Sequence, residues 1–242
     1  MRTEFYHVLN RGVEKRTIFL DTRDYARFVH DMYEFNSTER VDQNHGRNLV
    51  QATQLHTPPS MRDIRCPSLK GQEQRRGDRL VRIHFFCLMP NHYHLLVSPL
   101  VDGGVSQFMK KINMGYAKYF NERYERSGAL FQGKYKSIRV VNDAHFMYLP
   151  YYIHLNPLDL STPTWRVGKI SNVQDILRTI STYKWSSHLD YIGQKNFPSI
   201  TDRTFFLEYY KGTAGYLKSL KKYLGSFDDT SFPSLESVAL EK

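Results

Sequence analysis

LVRIHFFCLMPNHYHLLVS, Leu80–Ser98, reads as two strands around a turn. Leu80–Leu88 is dense in β-branched and aromatic residues, Met89-Pro90-Asn91 supplies the reversal, and His92–Ser98 returns. Working outward, Glu4–Asn10 (EFYHVLN) alternates as a strand does. Asp21-Thr22-Arg23-Asp24 offers an N-cap to a helix whose apolar residues, Tyr25, Phe28, Val29, Met32 and Tyr33, recur at helical spacing. Downstream, Val105–Arg126 is a long amphipathic helix and Tyr135–Val141 a strand. Asn142 then caps a helix that runs to about Leu155 and is closed by Asn156-Pro157.

The order β-α-β-β-α-β-α predicts an α+β fold. Its first six elements form a ferredoxin-like split βαβ unit, an antiparallel four-stranded sheet with two helices on one face. The seventh is an added helix, and Pro150 inside it is expected to kink or restart it. Beyond Pro157 the chain reads as mainly helical, with segments near 172–179, 201–210 and 214–224. The expected organisation is a domain over 1–160, a helical C-terminal extension over 161–226 and a loose tail over 227–242.

The 242 residues carry 34 Lys+Arg against 24 Asp+Glu, a net charge of +10, with 40% hydrophobic and 14% aromatic residues. That is apolar enough for a packed core, which excludes wholesale disorder. Two cysteines, Cys66 and Cys87, are too few for a disulfide framework and read as free thiols. No apolar run approaches the roughly 18 residues a membrane span needs. MRTEFYHVLNRG lacks the apolar run of a secretory leader. A surplus of positive charge points to a polyanionic partner.

Charge and aromatics are unevenly spread. Between Asp102 and Arg139 lie eight basic residues (Lys110, Lys111, Lys118, Arg123, Arg126, Lys134, Lys136, Arg139) against three acidic ones, interleaved with seven aromatics from Phe108 to Tyr135. Such a stretch suits either a groove that stacks unpaired bases or an amphipathic helix with core aromatics and a solvated basic face. By contrast, the 49 residues from Asn36 to His84 contain no Phe, Tyr or Trp. Without large apolar groups they cannot offset their ordering entropy, so 37–80 reads as a mobile insertion.

Side chains alternate along a strand, so His92 and His94 share one face with Tyr93 on the other. Two imidazoles one pleat repeat apart can share a divalent ion, or they can be unrelated neighbours. Tyr152 and Asn156, four residues apart, share a helix face. Tyr151 points elsewhere and Tyr148 lies two turns away. A phenol and a carboxamide so placed could face one phosphate. Spacing alone favours the plainer reading of core tyrosines and an ordinary helix stop.

Taken together, YHVLNRG (Tyr6–Gly12), IFLDTRDYARF, CLMPNHYHLLV (Cys87–Val97), GALFQGKYKS (Gly128–Ser137) and YIHLNP (Tyr152–Pro157) resemble the single-tyrosine transposases of the HUH class, the insertion-sequence type and especially its REP-associated relatives. The resemblance covers about residues 4–157 and lapses across 37–80. It implies that His92 and His94 bind a divalent metal, Mg²⁺ or Mn²⁺, that Asn156 completes the site, and that Tyr152 is the nucleophile. It implies cutting and rejoining of single-stranded or hairpin DNA through a 5′-phosphotyrosine, with Arg11, Lys110, Lys111, Gln132, Lys134, Lys136 and Arg139 as candidate DNA contacts. It also implies a cytoplasmic, nucleoid-associated protein of bacterial type, with no membrane partner and a homodimer among the possible states. Two rivals share the same residues. One is a non-catalytic nucleic-acid-binding regulator on this fold, and the other a small-molecule metalloenzyme, which leaves the basic, aromatic stretch unexplained.

Overall fold

The computed structural model describes residues 4–39, 79–162, 165 and 172–225. Most of the expected insertion, Cys66 and the expected loose tail lie outside the described residues. Four strands, β1 (Tyr6–Arg11), β2 (Val81–Met89), β3 (His92–Pro99) and β4 (Lys136–Arg139), form one sheet in the order β2-β3-β1-β4. Every neighbouring pair is antiparallel. This is the split βαβ arrangement that the element order predicts.

Local chemistry sets the helix starts. Asp21 caps α1 (Thr22–Glu34) by accepting from the backbone N–H groups of Arg23 and Asp24. Asn142 caps α3 (Asp143–Leu155) by accepting from His145. The long helix α2 (Gly104–Arg123) begins instead at Gly103, in the left-handed region. In the YHVLNRG stretch Gly12 is required sterically, because a Cβ there would stand 2.3 Å from the Arg16 carbonyl oxygen.

Each face of the sheet is covered. Val8, Phe86, Leu88, Tyr93, Leu95 and Val97 meet Phe28, Val29 and Met32 of α1 and Phe108, Met109, Ile112 and Tyr116 of α2. On the opposite face Phe85, Cys87, Met89 and Leu96 meet α3. They also meet the C-terminal helices α4 (Val173–Thr182), α5 (His188–Tyr191), α6 (Thr204–Tyr210) and α7 (Gly212–Gly225). The segment read from sequence as an extension therefore shares this second core, through Leu177, Tyr191, Phe206 and Tyr216. Helix α3 runs through Pro150 without the expected break. Tyr148–Leu155 are all buried between sheet and C-terminal helices, and that enclosure offsets the one backbone hydrogen bond proline removes.

The helix read as a basic, stacking surface is tied down in the structure. Phe108, Tyr116, Phe120 and Phe131 are core residues. Tyr119 and Tyr124 donate to the fully buried Asp24, at 3.0 and 2.8 Å. Arg123 spans Asp21 and Asp24, and Arg126 donates to Asn121. Of the two readings left open by sequence, these residues follow the amphipathic one. Lys111 donates to the carbonyl oxygens of Ser37 and Glu39, at 2.5 and 2.7 Å, where the insertion leaves the fold. Asn36 and Val81 close its neck. The Asn36 amide donates to the Val81 carbonyl (2.9 Å) and accepts from the Val81 N–H (3.0 Å).

The second core also holds neutral imidazoles. His84, at an irregularity in β2, bonds Ser98 Oγ (2.8 Å) and the Asp202 carbonyl (3.1 Å). Burial pushes it down to about 4, against an opposing pull from Asp202. Burial likewise pushes His188 to about 4. Both lie below the unfolded value of 6.5, so the unfolded chain binds more protons and stability falls as pH drops from 6.5 toward 4. Between pH 7 and pH 5 each should cost roughly 2 kcal/mol. Thermal melts in EDTA across that range should show the loss, and His84→Gln should remove His84's share of it. A melting temperature constant from pH 7 to 5 would contradict it.

Candidate active site

The H-x-H strand is β3, at the centre of the sheet. Its register places Leu9 opposite His94, Arg11 opposite His92 and Cys87 beyond His94 on β2. Because positions two apart share a face, His92, His94, His7 and Arg11 all stand on the side that α3 covers. The rings of His92 and His94 lie 4.9 Å apart. Tyr152 reaches down from α3, its ring edge-on to His94 at 5.4 Å and to His7 at 5.9 Å. It is 6% exposed, and Tyr148 tilts against it at 5.6 Å. Tyr151 points away, stacked on Tyr223 at 4.9 Å. Within one chain, Tyr152 is thus the tyrosine whose ring is edge-on to both His94 and His7.

Asn156 follows at the end of α3 and is 1% exposed. Its amide N–H donates to the Tyr152 carbonyl at 2.8 Å, which fixes the carboxamide against the backbone of Tyr152. With the nitrogen end committed, the oxygen end is the one suited to a cation.

The tautomer of His92 follows from its neighbours. Asn91 donates its amide N–H to the Lys15 carbonyl (3.2 Å), so its oxygen faces His92 Nδ1, at 2.6 Å. An amide oxygen only accepts, hence His92 carries its proton on Nδ1 and its lone pair on Nε2. That is the form a metal ligand needs. Among the described residues no group of three His, Cys, Asp or Glu side chains is placed to hold a metal ion. The residues expected from sequence, His92, His94 and Asn156, would offer a mixed nitrogen and oxygen donor set of the kind Mn²⁺ or Mg²⁺ takes.

The expected DNA contacts divide between the two sides. Arg11 donates through Nε (3.3 Å) and Nη2 (3.1 Å) to Gln132 Oε1, placing both beside His92. Lys136 pairs with Leu9 on β1 and so shares the histidine face; Lys134 is exposed just before it. Arg139 has the opposite parity and pairs with Glu4 at 2.5 Å. Lys110 and Lys111 belong to α2, beyond the sheet from the histidines.

Sequence reasoning missed His7. It is fully buried, its Nε2 is 3.0 Å from His94 Nδ1, and the two rings lie side by side, 20° from parallel with centroids 5.2 Å apart. Burial, reinforced by His145, pushes it down to about 3, which keeps it neutral. The available signal was parity, since in EFYHVLN His7 alternates with Leu9 and lies diagonal to His94 once β1 and β3 pair. Asn91 was read only as a turn residue.

Residues 73–156 match the family model described as transposase, IS200 like. The segment contains His92, His94 and Tyr152 and ends on Asn156. Among curated proteins none matches. A solved structure described as a REP-associated tyrosine transposase bound to a REP hairpin is similar at TM-score 0.42 and 12% identity, covering 84% of this chain and 87% of that one. Among the described residues no helix is long and apolar enough to cross a membrane.

Proposed function

From the IS200-like match over residues 73–156, we propose that the chain is a transposase that cuts and rejoins single-stranded DNA at hairpin-containing sites through Tyr152. One observation carries the reading, namely the Tyr152 ring seated edge-on to His94 on the face of the H-x-H pair. A buried, pre-aimed phenol can act as a nucleophile toward phosphorus. Its oxygen forms the O–P bond as the P–O3′ bond breaks, leaving a 5′-phosphotyrosine and a 3′-hydroxyl that takes up the proton. Rejoining runs the same exchange backwards, so one phosphodiester replaces another without an external energy source.

His92, His94 and Asn156 would hold the divalent ion, and when bound it supplies neutralisation of the scissile phosphate's charge. The chain's own part is orientation. Asn91 fixes His92, the Asn156 carboxamide is anchored to Tyr152, and α3 holds the phenol against the sheet. Arg11 and Gln132 flank His92, and Lys134 and Lys136 are exposed along the β4 edge. These four form the proposed DNA-facing set. Lys110, Lys111 and Arg139 stand outside it, for the geometric reasons given above.

The test is incubation with a hairpin-bearing single-stranded oligonucleotide and Mn²⁺, followed by a denaturing gel. A covalent adduct is expected. EDTA should remove it, and His92→Ala should lower its rate by about a hundredfold or more. DNA binding without adduct in any divalent metal would overturn the reading in favour of a non-catalytic regulator.

A further inference from the structure

The two histidines of the pair are not held alike. His92 has its tautomer fixed by Asn91, whose amide orientation is itself fixed by Lys15. The partner of His94 Nδ1 is a second imidazole, His7 Nε2, at 3.0 Å and fully buried. Two neutral imidazoles can share that bond in two ways. If His7 donates, His94 has its proton on Nε2 and presents no lone pair there. If His94 donates, its Nε2 lone pair is available to a cation. His7 must then carry its own proton on Nδ1, which is buried and has no hydrogen-bond partner among the described residues.

We propose that His7 is a positioning residue for the metal pair, its Nε2 accepting the Nδ1–H of His94 and so holding His94 in the ligating tautomer and orientation. The inference rests on the reading of His92 and His94 as metal ligands and adds the residue that makes His94 competent. It is distinct from a packing role. Packing needs only a flat ring at position 7, whereas this role needs an acceptor at the place of Nε2. Gln can supply one from about the same reach, and Phe cannot. Partners of this kind typically raise metal affinity by about ten- to a hundredfold.

The experiment uses the full chain and the metals alone. Mn²⁺ affinity is measured by calorimetry for wild type, His92→Ala, His7→Phe and His7→Gln, each checked for folding by a thermal melt. In parallel, ¹⁵N NMR of the Mg²⁺-loaded wild type reports the protonation of the His94 and His7 ring nitrogens. The expected result is a loss in His7→Phe of about ten- to a hundredfold, recovery of most of it in His7→Gln, and a His94 proton on Nδ1. Unchanged affinity in a folded His7→Phe, or a bare His94 Nδ1 in the loaded protein, overturns the proposal. Should His7→Phe fail to fold, the wild-type NMR and His7→Gln still decide. Failure of the underlying reading looks different, because Mn²⁺ would then bind with no dependence on His92.

Discussion

Tyr152→Phe should abolish the covalent DNA adduct, a loss of roughly a thousandfold or more, while the protein stays folded. The size follows from deleting the attacking atom itself, for which no neighbouring group substitutes at a comparable rate. The fold should tolerate the change because Phe keeps the ring. The edge-on contacts to His94 and His7 and the tilt against Tyr148 are all ring contacts. Loss of one hydroxyl should cost about 1 kcal/mol, a few degrees in melting temperature at this chain length. Tyr151→Phe and Tyr148→Phe are the matched controls. Tyr151 faces Tyr223 and should react normally. An adduct that survives in Tyr152→Phe and disappears in Tyr148→Phe would move the nucleophile one turn back along α3.

The second large effect lies on the other side of the sheet. Asp24→Ala should destabilise the protein by roughly 3–5 kcal/mol, about 10 °C or more in a thermal melt. Asp24 is fully buried and accepts from Tyr119, Tyr124, the Leu20 N–H and Arg123. Removing it leaves two hydroxyls and the Leu20 N–H facing a cavity without their acceptor and strips Arg123 of one of its two carboxylates, a costly way to break a buried pair. Asp24→Asn, which keeps an acceptor but loses the charge, should fall between. The result also sorts the basic residues. A DNA-binding defect in Arg123→Ala should track its loss of stability. One in Lys134→Ala, an exposed side chain, should appear with the melt unchanged. A melting temperature for Asp24→Ala within two or three degrees of wild type would contradict this account.

These residues mark what was legible in the sequence. The hairpin around Pro90-Asn91, the Asp21 and Asn142 caps and the order of the strands are local signals, and the structure follows them to within a few residues. The helix face shared by Tyr152 and Asn156 was readable for the same reason. Features that depend on partners distant in sequence were not. The unbroken course of α3 through Pro150 depends on burial by helices that begin beyond residue 172. The aromatics of α2 were ambiguous because only the third dimension shows that Asp24 collects two of them. His7 needed the pairing register of β1 with β3, which composition and periodicity do not give.

The Asn36–Val81 clamp has a consequence for how this chain can change over time. Two reciprocal hydrogen bonds bring the exit and re-entry points of a segment of over forty residues to one spot, and Lys111 holds its first carbonyls. Seen from the sheet, the two ends of that segment are already joined. The entropy of closing a flexible chain between two fixed points grows only with the logarithm of its length, by about 0.6 kcal/mol per doubling. A change in the length of chain between Asn36 and Val81 therefore carries a small closure cost for the domain, as long as that clamp and the Lys111 bonds are kept.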